Sequence, residues 1–330
     1  MASFRDVIGN EKLLGQLKAA ISQGKLGHAY IFDGAKGSGK KLIADAFAAG
    51  ILCEKAEGDS CGTCPACRKA YSKSHPDIIY VTHEKPNLIS VDEIREQVND
   101  AVIVKPYSAE KRIFIIDEAE KMNEAAQNAL LKTLEEPPAY VVFMLLTSNA
   151  EKLLPTILSR CTVMDVRALP VKMIKDYLIS EAGCDENKAT VCASFSQGAL
   201  GKALELCKSE DFNEQRDAIV YILKNIKNMS TEELCADLKT LDSYKKSIDD
   251  CLDMFTMWYR DVLMYKATTD ANRLMFAEQV IDIKNQAATF SYNGLNEILE
   301  GIEKARVRLN ANVNFELTME LLLFTIKDQK

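Results

Sequence analysis

Residues 34–41 read GAKGSGKK. Gly34, Gly39 and Lys40 fall where the phosphate-binding pattern G-x-x-x-x-G-K-[ST] needs them, with Gly37 inside the same loop. Glycines let the backbone curl so that its N–H groups point at phosphate, beside a helix N-terminus that favours negative charge. Lys40 would reach the β/γ-phosphates. The last position should carry the hydroxyl that completes a Mg²⁺ shell. It carries Lys41, which cannot coordinate a cation. Further on, the apolar run IFIIDEAE ends in Asp117 and Glu118, which fit a metal-side acid and a water-activating acid. In TSN, Asn149 is placed to sense a γ-phosphate. Each motif alone has a plain alternative: a tight turn, solvated acids at a strand end, and a turn-forming Asn.

A second constellation is Cys53, Cys61, Cys64 and Cys67, four of the chain's 10 cysteines within one short polar stretch. Four thiolates suit tetrahedral Zn²⁺, and Gly62 and Pro65 help the backbone turn between them. With all four positions filled, the expected site is structural, because a catalytic zinc keeps a position open. An iron–sulfur site, unmetallated thiols, or a nucleic-acid knuckle using Arg68, Lys69 and Lys73 are the other readings. Cys161, Cys184, Cys192, Cys207, Cys235 and Cys251 lie mainly in helical patterns and read as packing residues. Trp258, near Leu252 and Met254, reads as core or subunit contact. His28, His75 and His83 have no evident partners.

These residues need elements to hold them. HAYIFDG reads as a strand running into the glycine loop, and KLIADAFAAGILC as the helix that follows. Before them, EKLLGQLKAAISQ is helical and Gly24 ends it. Strands are expected at 77–82, 112–120 and 140–149, with a last one at TVMDV. Between them lie SVDEIREQVNDAVI, opened by a Ser90–Glu93 capping pattern, EAAQNALLKTLEE, stopped by Pro137 and Pro138, and LLPTILSRC. Alternating strands and helices with continuously apolar strands predict a parallel α/β sheet covered on both faces. After about residue 167 the strand signal disappears. The expected domains are a core at 1–167 with the cysteine module at 53–67, a small helical unit at 168–208, and an all-α domain at 209–330.

The chain has 330 residues, 47% hydrophobic and 27% charged, which is ordinary for a globular protein. No apolar run approaches the ~20 residues of a membrane helix. The charged N-terminus lacks the apolar stretch of a signal peptide, so a cytoplasmic location is expected, with no membrane partner. A net charge of −7 argues against strong DNA binding by the chain alone.

Taken together, FRDVIGNEKL, HAYIFDGAKGSGK, the cysteine cluster, IIDEAEKMNEAAQNALLKTLEEPP, LLTSN and LLPTILSRC follow one another as in bacterial clamp-loader subunits, members of the AAA+ family. The resemblance is strong over residues 4–167 and weaker beyond, where WYRDVL and RLNANVNFELTMELLL resemble the helical collar of those proteins. It implies an AAA+ P-loop core with a zinc module, a helical lid and an oligomerising collar. It also implies a place in a hetero-pentamer with gamma/tau motor subunits and a delta subunit, which loads a sliding clamp onto primed DNA in replication. Arg160, in Ser159-Arg160-Cys161, matches the finger that such a subunit donates to its neighbour's ATP; a guanidinium fits phosphoryl oxygens and stays charged. The bland reading of Arg160 is a surface Arg at a helix C-terminus. Motor subunits carry an Arg that aligns here with Gly201, next to Lys202. With Lys41, that is a second departure from the active pattern, so hydrolysis by this chain is not expected. ATP/Mg²⁺ binding without turnover stays open, and an active gamma/tau-like motor is the alternative.

Overall fold

The computed structural model describes residues 3–55, 57–209 and 211–329. The chain divides into two compact units, Met1–Glu205 and Leu206–Lys330. The first is built on five parallel strands: β1 (Ala29–Asp33), β2 (Ile78–Val81), β3 (Arg112–Ile116), β4 (Val141–Thr147) and β5 (Thr162–Asp165), in the order β2-β3-β4-β1-β5. Central β4, VVFMLLT, is buried at all seven positions, as a strand covered on both faces must be. Its alternate residues feed two cores. Val142, Met144 and Leu146 pack with Phe32, Ile43 and Phe47, while Val141, Phe143 and Leu145 pack with Phe114, Leu130 and Ile157. Edge strand β5 is mostly exposed. The register pairs Asp33 with both Thr147 and Asp165, and Ile116 with Leu145. The carboxyl ends of the middle strands therefore open at one rim, the place where parallel sheets take ligands.

Helices α1 (Glu11–Ser22) and α2 (Lys40–Ile51) supply the first core. Helix α3 (Pro65–Tyr71) lies in the cysteine segment. Ser90 and Glu93 form the expected capping box on α4 (Val91–Ile94). That helix runs on through a π-helical stretch, Arg95–Asn99, into α5 (Asp100–Val102). Helix α6 (Glu124–Glu135) starts with the Asn123 side chain accepting from Ala126 N and stops before Pro137 and Pro138. Short α7 (Pro155–Leu158) precedes β5. Then come α8 (Val171–Ser180), α9 (Glu186–Phe195) and α10 (Leu200–Lys208).

The second unit is helical: α11 (Phe212–Asn225), α12 (Thr231–Ser243), α13 (Ile248–Thr268), α14 (Val280–Thr289), α15 (Tyr292–Asn310) and α16 (Phe315–Asp328). Trp258 is fully buried, and its indole N–H donates to Gln286 Oε1 at 2.9 Å. Gln286 in turn donates to the Leu223 carbonyl at 2.7 Å, tying α11, α13 and α14 together. Trp258 is thus a core residue of this unit. No helix among the described residues is long and apolar enough to cross a membrane.

Candidate functional site

The glycine loop joins β1 to α2 at the open rim of the sheet. Gly37 and Gly39 have φ of 78° and 93°, which only glycine adopts cheaply. The Lys40 ammonium folds back and donates to the carbonyls of Gly34 (2.6 Å) and Ala35 (2.9 Å). Burial lowers its pKa, while nearby Glu120, Asp117, Asp33 and Glu118 oppose that shift. Lys41 does something a hydroxyl could not: its Nζ lies 2.9 Å from Asp117 Oδ2. Where the phosphate-loop pattern puts a metal between a hydroxyl and an acid, this chain pairs an ammonium with that acid. The side chains present do not fit a magnesium ion there. The loop, Lys40, Lys41, Asp117, Glu118 and Glu120 line one cavity of about 330 Å³.

Glu118 adopts a left-handed backbone, φ 53°, a conformation that costs a non-glycine residue ~1–2 kcal/mol. Its Oε2 is engaged by Lys121 Nζ at 2.6 Å and faces His83 Nε2 at 3.5 Å. Lys121 also donates to the Pro86 carbonyl. His83 thus has a partner that its sequence context did not show. Asn149 caps the turn after β4 by accepting from Glu151 N at 2.9 Å. The cavity is lined instead by Ser148, whose hydroxyl donates to Glu120. The α10 end of the helical segment meets the loop backbone to backbone: Gly201 N donates to Gly37 O at 2.8 Å. A Cβ on Gly201 would lie 2.8 Å from Gly37 O, so no side chain fits while this contact holds.

Arg160 follows α7 on the surface, its side chain 36% exposed. One guanidinium nitrogen donates to Thr156 O (3.0 Å) and Ser159 Oγ (3.3 Å), and another pairs with Glu135 Oε1 of α6 at 2.9 Å. On α6, buried Gln127 donates to the carbonyls of Met122 and Lys152 and accepts from Leu154 N at 2.8 Å. One amide thus fixes the turn after β3 and the segment that leads into α7.

The four sulfurs of Cys53, Cys61, Cys64 and Cys67 lie within 4.8 Å of one another. Cys61 and Cys67 are 3.9 Å apart, against the ~3.8 Å edge of a tetrahedron with Zn–S bonds of ~2.3 Å. Thr63 Oγ1 and Cys64 N donate to Cys61 Sγ, and Cys67 N donates to Cys64 Sγ. The Thr63 hydroxyl leads the effects that bring the Cys61 thiol down to about 5, whereas burial pushes Cys67 up. Donor set and spacing fit one soft divalent metal, with zinc's ligand chemistry.

A family model described as DNA polymerase III, delta subunit, matches residues 9–170, and a model of that subunit's C-terminal part matches residues 210–328. The chain belongs to this family. A DNA polymerase III subunit delta' from Bacillus subtilis (strain 168) is 28% identical over 321 residues, covering 96% of each chain. Subunit tau from the same organism is 33% identical over 285 residues, 80% of this chain but 50% of tau. The chain therefore spans half the length of that relative and nearly all of the first. A solved gamma subunit-related protein from Thermotoga maritima has 22% identity and a TM-score of 0.45, covering 96% of this chain and 99% of that one.

Within this member of the delta-subunit family, the structure brings Gly34, Gly37, Gly39, Lys40, Lys41, Asp117 and Glu118 together at one rim. It groups the four cysteines separately and puts Arg160 just beyond α7, partly exposed. Glu135, Gln127, Lys121 and Ser148 were not singled out from sequence. Gln127 had left a signal: a polar residue in register with Leu130 and Leu134, on the stripe that α6 buries.

Proposed function

We propose that this chain is a delta prime-type, AAA+ subunit of the bacterial DNA polymerase III clamp loader. It acts in a hetero-pentamer with gamma/tau motors and delta to place the sliding clamp on primed DNA in the cytoplasm. Its own loop does not hydrolyse ATP, and Arg160 is donated to the neighbouring motor's nucleotide. The observation that carries this reading is the Lys41–Asp117 ion pair, which occupies a metal position within an otherwise intact phosphate-loop scaffold. Near full-length similarity to a delta' subunit supports the choice of subunit. The cysteine cluster is read as a structural zinc site.

The test is the reconstituted complex carrying Arg160→Ala in this chain only. Clamp- and DNA-stimulated turnover at the neighbouring motor should fall by about 10³-fold or more at that site. Unchanged turnover would reject the role. An active motor is the second reading, favoured by the higher identity to tau over 80% of the chain. Robust, Mg²⁺-dependent ATP hydrolysis by the isolated chain would decide for it.

A further inference from the structure

Position 41 is more than a missing ligand. In a metal-dependent phosphate loop, a hydroxyl here and an acid across the rim hold one divalent cation between them. Here the acid already has its counter-charge, with Lys41 Nζ 2.9 Å from Asp117 Oδ2. Both side chains are partly exposed, 52% and 39%, and both line the same cavity as Lys40. Among the described residues, the Lys40 ammonium donates to two neutral carbonyls, with the carboxylates of Glu120, Asp117, Asp33 and Glu118 near it but not hydrogen-bonded to it. Neutral acceptors bind an ammonium more weakly than a carboxylate or phosphate does, so Lys40 is free to turn to an anion. Of the other two acids lining the cavity, Glu118 is engaged by Lys121 and faces His83, and Glu120 accepts from the Ser148 hydroxyl. Inside the loop, the Ser38 hydroxyl is buried and has no hydrogen-bond partner among the described residues. The cavity, about 330 Å³, has room for a phosphate chain beside the first turn of α2.

We propose that this cavity binds a nucleoside polyphosphate without a divalent cation, the Lys41 ammonium holding the position of the metal. Lys40 and Lys41 then flank the phosphates, with Asp117 anchoring Lys41 as it would otherwise anchor a metal. This is independent of Arg160, whose role is read in a neighbour's turnover and not at this cavity.

The experiment is calorimetric titration of the full chain with ATP and with ADP, once in EDTA and once in excess Mg²⁺. The expected result is binding in EDTA with an affinity that Mg²⁺ changes by less than about threefold. Lys41→Thr restores the hydroxyl of the metal-dependent pattern. It should weaken binding in EDTA by about tenfold or more, the loss expected for one ammonium near a phosphate, and Mg²⁺ should recover it. Asp117→Asn separates the two chemistries further. If Lys41 is the cation, removing its carboxylate partner frees charge for the phosphates and tightens binding in EDTA. If Asp117 holds a metal, the same change weakens binding in excess Mg²⁺. Thermal melts check that both variants fold, as their partial exposure leads one to expect. No binding in EDTA at millimolar nucleotide, tightening of the unaltered chain by Mg²⁺ of about tenfold or more, or weaker binding by Asp117→Asn in excess Mg²⁺ would each overturn the proposal.

Discussion

Gln127→Leu is expected to destabilise the first unit by about 2–3 kcal/mol. The amide is 4% exposed and makes three hydrogen bonds, to Met122 O (3.1 Å), to Lys152 O (3.2 Å) and from Leu154 N (2.8 Å). The Met122 bond is fully buried, so its loss leaves a carbonyl with no water to replace the donor, a cost of about 1–3 kcal/mol. The other two bonds are only partly buried, and water recovers some of each, leaving about 0.5–1 kcal/mol apiece. Leucine is close in size and returns about 1 kcal/mol of apolar burial. Urea unfolding of the full chain, followed by a probe in the sheet unit, measures the sum. Gln127→Glu gives an independent reading. The carboxylate still accepts from Leu154 N but faces two carbonyls, so burial and those oxygens raise its folded pKa above the unfolded value. Its folded state then binds the extra proton, and the variant should gain stability as pH falls through that raised pKa. A Leu variant within about 0.5 kcal/mol of the parent, or a Glu variant without this pH dependence, would refute the assignment of the amide as the tie between the 122 turn and the α7 approach.

Asp77 is expected to set part of the acid limit. Its carboxylate is buried, which opposes the charge, yet bonds from Tyr107, Ser108 and Ala109 N–H groups and the Ser108 hydroxyl outweigh burial and hold the pKa below the usual range. The unfolded chain therefore takes up the proton first: the stabilisation is complete above the ordinary Asp pKa of about 3.9 and is lost as pH falls through the folded value. Asp77→Asn should cost about 2–4 kcal/mol at neutral pH and flatten the acid limb of a stability–pH curve. Tyr259→Phe should stabilise the helical unit by about 1 kcal/mol, because the phenol is buried with no hydrogen-bond partner among the described residues; a loss in chemical denaturation would show that the hydroxyl has a role. Purified protein should carry about one zinc per chain by elemental analysis, and chelation should unfold the α3 segment, seen as protease cutting near residues 54–72. Metal-free protein with the same melting curve and cutting pattern would contradict a structural site.

The architecture was largely legible because its signals are local. The apolar run VVFMLLT, short and rich in β-branched and aromatic residues, reads as a strand covered on both faces, and the strand–glycine–helix order around residues 29–51 needs no tertiary information. What was not legible depends on pairs distant in sequence. Lys41 reads as a lost ligand until Asp117, 76 positions away, is found beside it. Glu118 reads as a free acid until its left-handed backbone turns it to Lys121 and toward His83. Asn149 reads from sequence as a phosphate sensor, but the short Asn side chain is drawn into capping the next turn, a competition that Asn favours locally. Arg160 stood out in sequence, whereas its holder Glu135 sat unnoticed in the LEE that ends α6.

The two departures from an active loop have one physical character. At position 41 a contact that would be made to a metal is made within the chain, between Lys41 and Asp117. At position 201, where the resemblance to motor subunits implies an arginine, the chain instead makes a backbone bond from Gly201 N to Gly37 O. An arginine at 201 could not coexist with that bond, since its Cβ alone would lie 2.8 Å from the Gly37 oxygen. The absence of a side chain at 201 and the close approach of α10 to the loop are therefore a single structural choice. Each substitution moves an interaction from ligand to protein, so the geometry of the rim no longer depends on what the cavity holds. Gln127 fixes the acid turn and the α7 approach to the same helix, α6, that supplies Glu135 to Arg160. On the proposed reading, a subunit whose rim is held by its own side chains presents Arg160 in one orientation through every state of its neighbour's nucleotide, which a subunit that opened and closed on its own ATP could not do.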